Sequence, residues 1–208
     1  MLIIENMQFG FAGAPALVTD LSFRVQSGEI MLVQGASGCG KSTLLGVISG
    51  TAPAQLNWQG DVSLNGRSLT TLPAEQRRVG ILFQDPLLFP HMSVGDNLAF
   101  GLASDIRGTA RVTAVTTALE QAGMAGFGDR DPASLSGGQA ARIGLMRSLL
   151  AAPEALLLDE PFAALDQDLV AQFGGFVQAQ IKARNIPAIM VSHDPSHAAF
   201  AAGAPIYL

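Results

Sequence analysis

The stretch that decides the fold is Gly35-Ala36-Ser37-Gly38-Cys39-Gly40-Lys41-Ser42-Thr43. The apolar run 29–33 comes directly before it and predicts a short buried strand. Apolar side chains recur at helical spacing over residues 44–48, and Gly50 is placed to end that helix. A strand, a glycine-rich loop and a helix in this order are the context that a phosphate-binding loop, or P-loop, requires.

The residue types of this loop fit phosphate chemistry. Its glycines allow backbone N–H groups to point inward, in conformations that a Cβ atom would block. The helix that begins at Lys41 adds the positive end of its dipole to the same place. We therefore expect Lys41 to reach the β- and γ-phosphates of a nucleotide and the Ser42 hydroxyl to ligate Mg²⁺.

Composition limits the possible functions. The 208 residues are 49% hydrophobic, which is enough for one packed domain or for a core with one subdomain. The net charge of −5 gives no broad basic surface, so we expect no nucleic-acid partner. Cys39 is the sole cysteine, which excludes an internal disulfide. No apolar run approaches the ~20 residues of a membrane-spanning helix.

Two stretches outside the P-loop have the short apolar runs and turns of antiparallel strands. They are residues 1–28 and residues 56–69, and Asn65-Gly66 is a strong hairpin signal in the second. Beyond Pro86 the pattern turns helical, with Thr109 predicted to cap a helix that buries Val112, Val115 and Leu119. The expected fold class is α/β: a P-loop NTPase (RecA-like) core, a small antiparallel β subdomain and an inserted helical subdomain.

Four chemically useful segments each follow an apolar strand. They are the P-loop, Gln84, the pair Asp159-Glu160, and His193. In an open parallel α/β sheet, ligands bind at the carboxyl ends of the strands. We therefore expect these four segments to meet at one pocket.

The side chains at that edge have distinct expected roles. Asp159 suits a Mg²⁺ carboxylate, and Glu160 is placed to orient or deprotonate an attacking water. The alternative for this pair is that it caps the turn at Pro161. His193 is expected to contact the γ-phosphate, although a single histidine is often structural.

A second glycine-rich start of a helix lies far along the chain. Its residues are Leu135, Ser136, Gly137, Gly138 and Gln139. They open a helix that carries Ile143, Met146 and Leu150, and the N-terminus of a helix is a ready anion-binding site. An ordinary turn is the alternative, but it leaves the other segments unexplained.

Taken together, these motifs resemble the ATP-binding subunit of an ABC (ATP-binding cassette) transporter over the whole chain. The matching motifs are the Walker A loop at 35–43, the Q-loop at Gln84, the signature LSGGQ at 135–139, the Walker B pair Asp159-Glu160, the D-loop Ala164-Leu165-Asp166 and the switch His193. The adenine-stacking aromatic of the family matches Phe11, with Phe9 as second choice. The segment 84–94 is similar to prokaryotic importers of the thiamine, iron, sulfate and polyamine kind.

The resemblance implies a single ABC ATPase domain over 1–208. Residues 1–84 and 151–208 form its core and β subdomain, and residues 85–150 form its helical subdomain. Two copies pair head to tail around two Mg-ATP, with Leu135, Ser136, Gly137, Gly138 and Gln139 of one copy facing the P-loop of the other. The metal ligands are then Ser42, Gln84 and Asp159, and the catalytic residues are Glu160, His193, Gln84 and Lys41.

The resemblance also implies membrane partners. The chain lies at the cytoplasmic face of the plasma membrane, is bound to permease subunits there, and serves a solute-binding protein indirectly. The permease docks on residues 84–101, where Leu87, Leu88, Phe89 and Met92 are expected to be exposed. Alternatives are the energising subunit of an exporter or lipoprotein-release system, and a soluble ABC ATPase. The transported substrate is not encoded in this chain.

Overall fold

A computed structural model describes residues 1–208, which form nine strands and six α-helices. The strands are β1 Leu2–Phe11, β2 Val18–Val25, β3 Ile30–Gln34, β4 Leu56–Leu64, β5 Arg67–Ser68, β6 Val79–Leu82, β7 Ala155–Asp159, β8 Ala188–Ser192 and β9 Ile206–Tyr207. The helices are α1 Lys41–Ser49, α2 Ala74–Arg77, α3 Val94–Phe100, α4 Gly108–Gln121, α5 Gly137–Leu150 and α6 Gln167–Arg184, with 3₁₀ turns at Pro132–Ser134 and Pro195–Phe200. No helix is both long enough and apolar enough to cross a bilayer.

The central sheet has the strand order β6-β7-β8-β3-β9. β3 and β7 both pair in parallel with β8, so that Gln34 lies beside Ser192, and Asp159 lies beside Val191. Apart from their polar last residues, these strands are apolar and almost entirely buried, as expected for strands covered on both faces. Because their carboxyl ends share one edge, the residues that follow β3, β7 and β8 are brought close together.

The second sheet is antiparallel, with the order β2-β1-β4-β5. The hairpin predicted at Asn65-Gly66 joins β4 to β5. Both residues have positive φ, 52° and 79°, as the common two-residue hairpin turn requires. The α/β fold class with a parallel sheet and a small antiparallel sheet is confirmed.

The chain divides into two compact units. The first contains residues 1–81, 154–160 and 178–208, and the second contains residues 82–153 and 161–177. The sequence analysis assigned 161–177 to the core, whereas in the structure this segment packs within the second unit. A contact with α5 links the segment to the rest of that unit, because the Arg142 guanidinium lies 5.1 Å from the Phe176 ring. Within the segment, Phe162 meets Phe173 edge to face at 5.9 Å.

The helix predicted after Thr109 is shifted at its start. α4 begins at Gly108 with Arg107 as its N-cap residue, so Thr109 lies in the first turn and does not cap the helix. Val112 was expected to be buried, but it is exposed, and the buried residues of the helix are Ala118 and Leu119 near its end. The first turns of α4 are therefore a solvent-facing surface of the second unit.

Candidate nucleotide-binding site

The P-loop connects β3 to α1 in a conformation that needs its glycines. Gly38 and Gly40 have φ values of 83° and 106°, which are unfavourable for residues with a Cβ atom. A Cβ at Gly35 would lie 2.5 Å from the Cys39 sulfur, so this position has no room for a side chain either. A Cβ at Gly40 would come within 2.9 Å of the Phe9 ring, which packs directly beneath the loop.

The Lys41 side chain is buried within this loop. Its Nζ donates hydrogen bonds to the Gly35 carbonyl at 2.8 Å and to the Ala36 carbonyl at 3.1 Å. The same Nζ lies 3.7 Å from Glu160 Oε1. The ammonium group is therefore fixed between the loop backbone and a carboxylate that follows a different strand, and its charge is partly shielded from water.

Ser42 and Asp159 meet behind the loop. The Ser42 hydroxyl donates to Asp159 Oδ1 at 3.0 Å. The pKa of the Asp159 carboxyl is raised above its ordinary value, chiefly because of burial. The hydrogen bond from Ser42 lowers this pKa, the neighbouring Glu160 raises it and the charge of Lys41 lowers it. A hydroxyl and a carboxylate oxygen at this separation are ligands of the kind that Mg²⁺ prefers, so the residues present fit that ion.

Glu160 turns away from the strand that precedes it. Its φ is 45°, an uncommon value for a residue with a Cβ atom, and its N–H donates to the Val191 carbonyl at 3.1 Å. Both carboxylate oxygens lie 3.1 Å from His193 Nδ1. The carboxylate thus faces His193 and Lys41, and these contacts favour a chemical role over the alternative of a turn cap at Pro161.

The two aromatic candidates for adenine stacking have different environments. Phe9 is 2% exposed, whereas Phe11 is 39% exposed and lines an open groove of about 460 Å³ that Trp58 also borders. A ring fixed under the P-loop cannot present a free face, so the environments favour Phe11 over Phe9.

Three of the four predicted strand-end segments belong to the first unit and contact one another there. They are the P-loop, Asp159-Glu160 and His193. Gln84 belongs to the second unit, where it follows β6 and its side chain is exposed.

The signature segment, residues 135–139, caps the start of α5 with its own side chains. The Ser136 side chain is the N-cap and accepts from the Gln139 N–H at 3.3 Å, while Gln139 Oε1 accepts from the Ser136 N–H at 3.0 Å. This reciprocal pair is a capping box, and the Ser-x-x-Gln spacing was a sequence signal for it that the sequence analysis did not use. The predicted start of a helix at this motif is observed.

Asp166 of the D-loop has a local structural role. Its Oδ1 accepts from the Leu169 N–H at 2.9 Å, which satisfies an unpaired donor in the first turn of α6. The side chain is exposed, so the same carboxylate also faces solvent.

The segment that follows Gln84 is held by two residues that the sequence analysis missed. Arg147, on α5, donates to the Pro86 carbonyl at 2.7 Å and to the Leu87 carbonyl at 2.9 Å. Asn97, on α3, is fully buried, accepts from the Phe89 N–H at 2.8 Å and donates to the Phe89 carbonyl at 3.1 Å. The segment is therefore an anchored loop rather than a free one.

The exposed apolar residues of this loop differ in part from those expected. Leu87 is 53% exposed as predicted, but Leu88, Phe89 and Met92 are half-buried. Phe100, which the sequence analysis did not include, is 60% exposed, and its ring meets the Phe89 ring edge to face at 4.7 Å. Leu87, Phe89 and Phe100 are called the apolar patch below.

The sequence is similar to known proteins over most of its length. Residues 18–163 match the family described as "ABC transporter". The chain is 45% identical over 194 residues to "Uncharacterized ABC transporter ATP-binding protein YnjD" of Escherichia coli (strain K12), covering 93% of this chain and 89% of that protein. It is 38% identical over 198 residues to "Sulfate/thiosulfate import ATP-binding protein CysA" of Gloeobacter violaceus, covering 95% of this chain but only 56% of that longer protein.

A solved structure shows the same fold. The dimeric post-hydrolysis state of the ATP-binding cassette MJ0796, bound to ADP and Pi, superposes with a TM-score of 0.80 at 26% identity, covering 100% of this chain and 94% of that one. The chain therefore has the fold of an ATP-binding cassette. The chain belongs to the ABC transporter family, as one of its ATP-binding proteins.

Proposed function

We propose that this chain binds and hydrolyses Mg-ATP to power a binding-protein-dependent importer of a small solute. The observation that carries the proposal is the cluster of Lys41, Glu160 and His193, which lies on the P-loop beside the Ser42–Asp159 pair. An ATPase needs a cation, a proton acceptor and a group that contacts the γ-phosphate within a few ångströms of one another.

Each side chain has a definite task in this proposal. The P-loop N–H groups and Lys41 bind the phosphates of ATP, and Phe11 stacks on the adenine. Ser42, Asp159 and Gln84 hold Mg²⁺, which neutralises phosphate charge when bound. Glu160 orients the attacking water and accepts its proton, and His193 contacts the γ-phosphate and holds the Glu160 carboxylate in place.

The signature segment acts across a dimer of two copies. Ser136, Gly137 and Gly138 of one copy contact the phosphates bound to the other, and the start of α5 supplies partial positive charge. The dimeric state named for the MJ0796 structure supports this assembly. ATP then closes the dimer, and hydrolysis allows it to open.

The apolar patch is the proposed docking site for the permease. Leu87 exposes a large apolar side chain on a well-anchored loop, and Phe100 exposes another at the end of α3. Exposed patches of this kind mark interaction sites. Docking there would hold the chain at the cytoplasmic face of the membrane. The named import functions of relatives for sulfate, polyamines, aliphatic sulfonates and Fe(3+) support import over export.

The proposal is tested by measuring ATP hydrolysis and assembly separately. The chain should release phosphate from Mg-ATP, and Lys41→Ala should reduce that rate by ~10²–10³-fold, as loss of a charge-stabilising group does. A tagged chain isolated from membranes should bring with it an integral permease. If it brings an exporter, or no membrane protein, the importer assignment is wrong.

Docking is tested with a matched pair of charged substitutions. Leu87→Glu should leave thermal stability and ATP binding unchanged but abolish co-isolation with the permease, because a desolvated charge opposes burial of the patch. Val112→Glu is the control, since Val112 is even more exposed, at 65%, and belongs to the same unit but lies on α4 outside the patch. Equal loss of assembly in both variants, or none in either, would contradict docking at the patch.

A further inference from the structure

Buried side chains at the ends of β3 and β8 hydrogen-bond the backbone of the loop that carries His193. Ser192, the last residue of β8, is fully buried, and its hydroxyl oxygen accepts from the Asp194 N–H at 3.1 Å. The Gln34 side chain, buried at the end of β3, donates to the Asp194 carbonyl at 3.1 Å. The backbone on either side of His193 is therefore fixed from the sheet edge.

A second histidine, which unlike His193 is buried, completes this arrangement. His197, in the 3₁₀ turn that follows, has its Nδ1 2.7 Å from the Ser192 hydroxyl. Burial lowers the pKa of His197, while Asp194 and Glu160 raise it and His193 lowers it. The lowered pKa favours the neutral imidazole, which carries one proton. Because Nε2 faces the Asp194 carboxylate at 3.8 Å, we assign that proton to Nε2, which leaves Nδ1 to accept from the Ser192 hydroxyl.

The hydrogen bonds then form a directed chain. The Asp194 N–H donates to Ser192 Oγ. With the assigned imidazole proton on Nε2, the Ser192 hydroxyl donates in turn to His197 Nδ1, 2.7 Å away. A hydroxyl that accepts and donates at once has one orientation, and each bond polarises the next. Removing the acceptor at His197 leaves a buried hydroxyl proton without its partner, and the loop can then turn to satisfy it elsewhere.

His193 is sensitive to such a turn because its own side chain is exposed. Two-thirds of that side chain is accessible, and its hydrogen bond is to the Glu160 carboxylate at 3.1 Å. Packing does not hold the imidazole, so the direction of its Cα–Cβ bond depends on the backbone at 192–194. We infer that His197, acting through Ser192, is a positioning residue that sets His193 against Glu160 and the γ-phosphate of ATP, an inference that rests on the proposed ATPase function.

The test uses two amides that place their polar atoms differently. The amide oxygen of His197→Asn can occupy the place of Nδ1, whereas that of His197→Gln reaches the place of Nε2. Turnover of Mg-ATP by the full chain is measured as release of labelled phosphate, sensitive enough for slow variants. His91→Gln, at an exposed histidine in the other unit, is the control for a general histidine effect.

The expected result is a split between kcat and KM. For His197→Gln, kcat should fall about 2- to 12-fold, the effect of one lost hydrogen bond, with KM for ATP unchanged. For His197→Asn, kcat should stay within about twofold of the wild type. In a His193→Ala background, His197→Gln should cause no further loss, because a residue that acts only through His193 has nothing left to position.

Three results would overturn the inference. They are equal losses in the Asn and Gln variants, a rise in KM with kcat preserved, and multiplicative losses when His197→Gln is combined with His193→Ala. Melting temperatures of all variants identify any loss that arises from unfolding, and the Asn variant provides the comparison if Gln fails to fold. Failure of the proposed function has a different signature: the wild-type chain itself would not hydrolyse ATP, or His193→Ala would leave turnover unchanged.

Discussion

The P-loop site and the signature segment satisfy their polar groups in opposite ways. At the P-loop, three segments far apart in sequence are joined, because Glu160 contacts both Lys41 and His193. At the signature, Ser136 and Gln139 hydrogen-bond each other, so this helix cap needs no partner distant in sequence. One region is assembled by tertiary structure, and the other is assembled by four consecutive residues.

This difference indicates what each region does before nucleotide arrives. At the P-loop site the Lys41 ammonium and the Glu160 carboxylate are already in place, so little reorganisation is needed when phosphate binds. The signature segment has its side chains committed to a cap, and what it still offers is the N-terminus of a fourteen-residue helix. A helix end of this kind attracts an anion from outside, which fits a phosphate presented by a second copy.

The largest effect is expected from a substitution at Glu160, the residue that contacts both Lys41 and His193. Glu160→Gln should bind ATP but hydrolyse it ~10²–10⁴-fold more slowly, because the amide cannot accept the proton of the attacking water. The slow variant should accumulate as an ATP-dependent dimer, which size-exclusion chromatography detects. Glu154→Gln is the matched control, since Glu154 pairs only with the surface groups of Arg67 and Arg78. If Glu160→Gln hydrolysed ATP near the wild-type rate, the cluster of Lys41, Glu160 and His193 would have only a structural role.

The next test asks whether the signature segment works on the other copy. Ser136→Arg and Lys41→Ala should each lower turnover by ~10²–10³-fold as homodimers, since each removes charge stabilisation from both sites. A mixture of the two chains forms heterodimers that carry one doubly damaged site and one intact site. Phosphate release should then exceed that of either variant alone. Full activity of the Ser136→Arg chain by itself would show that the two regions do not share a site.

The parts that the sequence predicted correctly are those fixed by local chemistry. The P-loop, the hairpin at Asn65-Gly66 and the helix at Ser136 depend on glycine conformations and capping patterns that are readable within a few residues. The buried strands before Glu160 and His193 are also local signals, and their parallel pairing placed both residues beside the P-loop.

The parts that the sequence did not predict depend on distant packing. Residues 161–177 join the second unit, where the Phe176 ring lies 5.1 Å from the Arg142 guanidinium of α5, and no periodicity reports such a contact. Arg147 and Asn97 looked like ordinary helix residues, yet they hold backbone carbonyls of the loop around Leu87 and Phe89. Phe89, one of three residues that were expected to be exposed but are half-buried, packs on Phe100 and under Arg147.

The smallest effect should come from the cap itself, and it separates the two roles of the signature segment. Gln139→Ala removes the bond to the Ser136 N–H and should cost about 0.5–1.5 kcal/mol of the free energy of unfolding, at most about 6 °C in melting temperature. Gln139→Glu keeps an acceptor at the same place and should retain the wild-type melting temperature, because glutamate completes a capping box as well as glutamine does. Its added negative charge would still face any phosphate from a second copy, so ATP-driven dimerisation should weaken in the Glu variant while its stability does not. If melting temperature and dimerisation instead change in parallel across both variants, the signature segment only caps α5. It would then differ from the P-loop site in having no contact with phosphate.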